Sequence, residues 1–133
     1  MRTYEEVSEM LEDIIDETPE LLFKGLTGGV ILSEEAKLHP DSVWPKRLYI
    51  MGEYQTGVVG SRILIYYGSF MVVYGSLDRQ EFREKLRHTF AHELRHHAER
   101  LSGIKDLEDY DQQKLDRYHK GIDIAEFHEP PID

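Results

Sequence analysis

The chain of 133 residues has no cysteine. That excludes a disulfide framework and any thiolate metal ligand, so a metal site here has to be built from histidine and carboxylate. No run approaches the roughly 20 apolar residues a membrane span needs, and the start, Met1-Arg2-Thr3-Tyr4-Glu5-Glu6, has no apolar signal core. A cytoplasmic location without a membrane partner is therefore expected. Basic residues are scarce: 16 Lys and Arg face 26 Asp and Glu, for a formal net charge of -10. Such a balance repels phosphate backbones and anionic lipid at long range, and nucleic acid is not an expected partner. Internal repeats and low-complexity linkers are also missing. One domain over residues 1–133 is expected, because 40% apolar residues suffice for one modest core. Nothing in the pattern sets an oligomeric state.

What is present reads as an α+β chain. Val7, Met10, Leu11, Ile14 and Ile15 recur at helical spacing between Tyr4 and Glu17, and Thr18-Pro19 offers a stop. Val30-Ile31-Leu32, Arg47 to Met51 and Arg62 to Tyr67 are rich in strand formers and end near glycines, while Phe70 to Tyr74 continues the apolar theme. A small mixed or antiparallel sheet of three to four strands follows from these runs. Beyond Gly75-Ser76, the residues Phe82, Leu86, Phe90, Leu94 and Leu101 form one stripe of a long helix that starts near Leu77. Gly103 sits where a left-handed helix end belongs. A last helix is expected from about Asp106 to His119, and Pro130-Pro131 cannot continue it.

The long helix carries His92-Glu93-Leu94-Arg95-His96. Residues four apart share a helix face, so His92 and His96 can aim their ring nitrogens at one ion. At about 100° per residue they lie well away from the centre of the apolar stripe, so one face is free to bury while the other binds. Glu93 flanks the metal face, the position of a general base that holds a water beside Zn²⁺ without joining the ligands. The plain alternative is a solvated helix face with i,i+4 charge pairs among Glu93, Arg95, Glu99 and Arg100. His88 has no glutamate after it and reads as a surface or supporting residue. His97 projects towards the apolar stripe, which makes it a core histidine with a hydrogen-bonded ring.

A catalytic zinc site needs a third protein ligand and an open position for water. After Gly103 the chain runs Ile104-Lys105-Asp106-Leu107-Glu108-Asp109-Tyr110-Asp111. Asp106 opens the last helix, where a carboxylate serves equally as ligand or as N-cap. Asp111 falls among the inward positions Leu107, Leu115 and Tyr118, where an unpaired carboxylate is costly, so it calls for a metal, lysine or histidine partner. Glu99, Glu108 and Asp109 read as solvated helix charges.

The chain resembles the small zincin-like metallopeptidase family. The resemblance rests on Met51-Gly52-Glu53-Tyr54-Gln55-Thr56-Gly57, on the strand-rich stretch leading to Tyr66-Tyr67-Gly68, and on Leu86 to His97 with its H-E-x-x-H core. It implies a first helix packed on a small sheet, then the active-site helix. It also implies a zinc held by the two motif histidines and by an aspartate three positions after a glycine. That pattern matches Gly103-Ile104-Lys105-Asp106, although four more residues separate His96 from the glycine here than in the shorter family pattern. The departure keeps Asp111 beside Asp106 as third ligand. The implied activity is hydrolysis of peptide bonds in a peptide or protein substrate, an extended chain pairing by strand addition with the Arg62 to Val73 region. Tyr66, Tyr67 and Tyr110 are the phenols able to steady an oxyanion, each with a structural role as the simpler reading. Trp44 reads as a loop anchor, with an exposed binding residue as the alternative. Three alternatives share the sequence: a closed zinc module that binds a partner protein, an acidic adaptor without metal, and a zinc hydrolase acting on a small amide.

Overall fold

The computed structural model describes residues 2–43, 45–58, 60–102 and 122–128. Helix α1 spans Tyr4–Asp16, and Thr3 caps it by accepting the Glu6 backbone N–H on its hydroxyl. Its inward residues Val7, Met10, Leu11 and Ile14 are all buried. A single 3₁₀ turn, Glu20–Phe23, leads to strand β1 (Gly29–Ser33), the two-residue strand β2 (Lys37–Leu38), the long strand β3 (Lys46–Gly57) and strand β4 (Gly60–Tyr66). Helices α2 (Tyr67–Tyr74) and α3 (Arg79–Ser102) follow, and strand β5 (Ile122–His128) completes the described chain.

The sheet is mixed and has five strands among the described residues, one more than the apolar runs suggest. β1 runs parallel to β4, whereas β4, β2 and β5 all run antiparallel to β3. Gly52 pairs with both Ile65 of β4 and Asp123 of β5, and Ile50 with both Lys37 of β2 and Ile124 of β5. So β5 holds one side of β3, while β4 and β2 lie end to end along the other. β4 is interior, flanked by β1 and β3, and residues 67–74 are helical. The expected strand addition at Arg62 to Val73 therefore has no free edge there.

Alternation along β4 sends Ile63 and Ile65 to the helices and Leu64 and Tyr66 to the opposite face. The main core joins α1, α2 and α3 to the first face through Met10, Ile14, Met51, Ile63, Ile65, Phe70, Phe82, Leu86 and Phe90. Each large apolar side chain buried in this way contributes about 1.5–3 kcal/mol. Ile50, Leu64, Tyr66 and Ile122 make a smaller cluster on the other face. Helix α2 replaces the apolar continuation expected at Phe70 to Tyr74. Phe70 is fully buried against Tyr74 and Phe82, and a Cβ on Gly68 would lie 2.6 Å from the Ala36 backbone nitrogen. Among the described residues no helix is long and apolar enough to cross a membrane.

Candidate metal and catalytic site

Helix α3 supplies the centre of the site. Asp78 starts it by accepting the Glu81 N–H on its carboxylate at 2.8 Å, in the manner of an N-cap. Phe82, Leu86, Phe90 and Leu94 are buried as the stripe requires, but Leu101 is 56% exposed because it lies beyond the core at the helix end. The division into one buried and one binding face is too simple. Thr89, Glu93, His96, His97 and Glu99 are buried as well, because β3 and β5 extend over the polar flank of the helix.

The His92 and His96 rings converge, with 3.2 Å between their Nε2 atoms and 4.7 Å between ring centroids. Two zinc–nitrogen bonds of about 2.0–2.1 Å meeting near the tetrahedral angle place their nitrogens about 3.3 Å apart, so the pair has the spacing that one ion requires. His96 is buried and His92 half-buried. Among the described residues no third histidine or carboxylate joins them to complete a metal-holding group. Asp106 and Asp111 lie outside the described residues, as do Glu108, Asp109, Tyr110, Trp44 and the expected last helix.

Glu93 is fully buried, and among the described residues neither carboxylate oxygen has a hydrogen-bond partner. Burial pushes its carboxyl well above the usual carboxylate range, and the nearby charges of Asp123 and Glu53 add to the effect. The Asp123 backbone N–H works in the opposite direction without forming a hydrogen bond of ordinary geometry. Asp123 sits on the α3-facing side of β5, where its Oδ2 accepts the Thr89 hydroxyl at 2.5 Å. Gly52, its partner across the ladder, makes room for this contact: a Cβ there would lie 2.7 Å from Thr89 Cγ2.

On the opposite face of β3, Glu53 accepts the Tyr66 hydroxyl at 2.6 Å and Lys37 Nζ at 3.0 Å, and Gln55 Nε2 reaches its second oxygen at 3.3 Å. Burial alone would raise the Glu53 carboxyl, but these hydrogen bonds outweigh it and leave the group below its usual range. Burial, reinforced by the bond to Glu53, pushes the Tyr66 phenol up to about 12. Of the proposed oxyanion donors, Tyr66 is thus committed to Glu53, and Tyr67 donates to the Arg2 carbonyl at 2.6 Å.

His97 is the core histidine its position predicts, with Nδ1 at 2.6 Å from the Tyr54 hydroxyl and Nε2 at 2.8 Å from the Lys24 carbonyl. His88 is exposed. Glu99 differs from expectation: it is buried and accepts from Arg95 Nε at 2.8 Å. Sequence reasoning missed Gly52, Glu53, Thr89 and Asp123 as site residues. The one local signal was Ile122-Asp123-Ile124, an alternating strand pattern with an acid on the face shared by Ala125 and Phe127.

The architecture defines an α+β protein in which, among the described residues, three helices pack against a five-stranded mixed sheet. No family model and no curated protein matches the chain. Among solved structures it is similar to a conserved hypothetical protein from T. thermophilus, at 34% identity and a TM-score of 0.64, over 77% of this chain and 99% of that one. The chain belongs to the same family as that protein.

Proposed function

We propose that the protein is a zinc-dependent metallopeptidase with a zincin-like fold. His92 and His96 bind the ion, an aspartate, Asp106 or Asp111, completes the ligand set, and Glu93 is the general base. The observation that carries this reading is a combination on one helix turn: two imidazole nitrogens 3.2 Å apart beside a fully buried carboxylate with no hydrogen-bond partner among the described residues. An unpaired buried charge is costly to stability, and such groups cluster at functional sites.

When bound, zinc supplies Lewis acidity that polarises a carbonyl and makes water a nucleophile near neutral pH. The chain's own residues do the rest. Glu93 takes a proton from water and passes it to the leaving nitrogen, and a raised pKa suits both halves of that task. Burial of Glu93 on the side of α3 that packs on β3 keeps bulk water from competing for that proton. While β5 lies on β3, Asp123, held by Thr89, adds negative charge next to Glu93 and reinforces the raised carboxyl.

The test is to purify wild type and Glu93→Gln without chelator, measure bound metal by mass spectrometry, and assay both against a mixed peptide library. The expected result is about one zinc per chain in both proteins and cleavage by wild type alone. Failure of both to take up supplied zinc would overturn the metal site. Zinc in both with no cleavage would overturn the peptidase.

A further inference from the structure

An extended peptide recognised by a sheet needs a free strand edge. Next to Glu93 that edge belongs to β3, whose Gly52 packs on Thr89 one turn before Glu93. The side of β3 turned away from β4 is already taken. β5 lies along it antiparallel from Lys46 to Glu53, as a bound peptide would, and its Asp123 side chain reaches α3 at Thr89. β5 pairs with no other described strand.

Several features mark β5 as an addition to an otherwise finished sheet. Its ladder with β3 is irregular between Ile50 and Gly52, at the end nearest Glu93. Of the residues from Ile122 to Phe127 only Ile122 is buried, whereas β4 buries five of seven. Residues 103–121 join β5 covalently to α3, so its pairing with the edge is intramolecular.

We propose that β5 is a tethered, displaceable occupant of the strand edge at which the peptide substrate pairs, so that the chain inhibits itself. This rests on the metallopeptidase reading. β5 also states the chemistry that displaces it: an extended segment presenting an acid, a small residue and an aromatic at alternate positions, as Asp123, Ala125 and Phe127 do. Asp123 meets Thr89, and Phe127 packs edge-on to Tyr49 at 6.3 Å between centroids.

The test exploits the absence of cysteine. Leu48 and Glu126 are direct ladder partners, so Leu48→Cys with Glu126→Cys allows β5 to be locked by oxidation and freed by reductant in the full chain. The probes are a fluorescent peptide with the sequence of residues 121–129, read by anisotropy, and a quenched peptide library, read by cleavage. A melting curve of each form checks that both are folded. The reduced form is expected to bind the peptide at least tenfold more tightly than the locked form, and to cleave the library at least tenfold faster through a lower KM. Equal binding in the two forms overturns the proposal, whether or not any peptide is cut. Tenfold tighter binding by the reduced form, with no cleavage by any form loaded with zinc, upholds the role of β5 and overturns the peptidase reading instead.

Discussion

The Thr89 hydroxyl donates to Asp123 Oδ2 across 2.5 Å and so ties helix α3 to strand β5 directly beside Glu93. Thr89 is buried, and a hydrogen bond to a charged acceptor contributes about 1.5–3 kcal/mol. Thr89→Val keeps the shape and removes the donor. Urea unfolding at neutral pH is expected to show a loss of about 1.5–3 kcal/mol, and a double-mutant cycle with Asp123→Ala should recover most of it as coupling. Additive effects of the two substitutions would count against this link.

Gly52 is the reason the two elements come so close. A Cβ there would meet Thr89 Cγ2 at 2.7 Å, with Ile65 Cδ1 and the Leu64 carbonyl at 3.3 Å. Gly52→Ala is expected to destabilise the fold by about 1–3 kcal/mol through overpacking. Thr89→Ser removes the clashing methyl and keeps the hydroxyl, so adding it should restore a large part of the loss. No rescue in thermal melts of the double variant would place the clash elsewhere.

Glu93 should be a stability cost to the metal-free protein. Its carboxylate is fully buried without a hydrogen-bond partner among the described residues, and the like charge of Asp123, with that of Glu53 from across the sheet, adds to the effect of burial. Glu93→Gln keeps the volume and removes the charge. In the presence of chelator the variant is expected to be more stable by about 1–3 kcal/mol. An equal or lower melting temperature than wild type would sink this account of the carboxylate.

The Lys37–Glu53–Tyr66 cluster gives stability a defined pH dependence. Tyr66 is raised from 10.0 to about 12, so its contribution is fully present below pH 10 and is lost as pH rises towards 12. Lys37 is also raised, by its hydrogen bond to Glu53, and acts in the same alkaline direction. Glu53 is lowered from 4.5, so its contribution is present above that pH and is lost as pH falls below it. Unfolding measured at pH 8, 10 and 11 should show wild type losing stability more steeply than Tyr66→Phe. Parallel curves would mean that Tyr66 is not the group responsible.

Much of the helical frame is legible in the residues because α1 and the first turns of α3 bury one regular stripe each, which repeats every three or four positions. His97 was legible for the same reason. The Phe70 to Tyr74 run has no period to read, and only its packing around Phe70 and the close approach at Gly68 decide for a helix. β5 is short and precedes Pro130-Pro131, and its partner Lys46–Glu53 lies some 75 positions earlier. The candidate site divides along the same line. The His92, Glu93, His96 motif is local to one helix and can be read off the chain, whereas Glu53 and Asp123 reach Glu93 only after three elements have assembled.

His96 and His97 are neighbours in sequence with separate surroundings. A carbonyl can only accept, so the contact to Lys24 fixes the proton of the neutral His97 ring on Nε2 and leaves Nδ1 to accept from Tyr54. Both nitrogens of that ring are therefore engaged before any ion arrives. In a nitrogen-detected NMR titration with zinc, the His92 and His96 signals should move while those of His97 stay in place. The molecule thus carries its own internal standard, one peptide bond away from the group that reports.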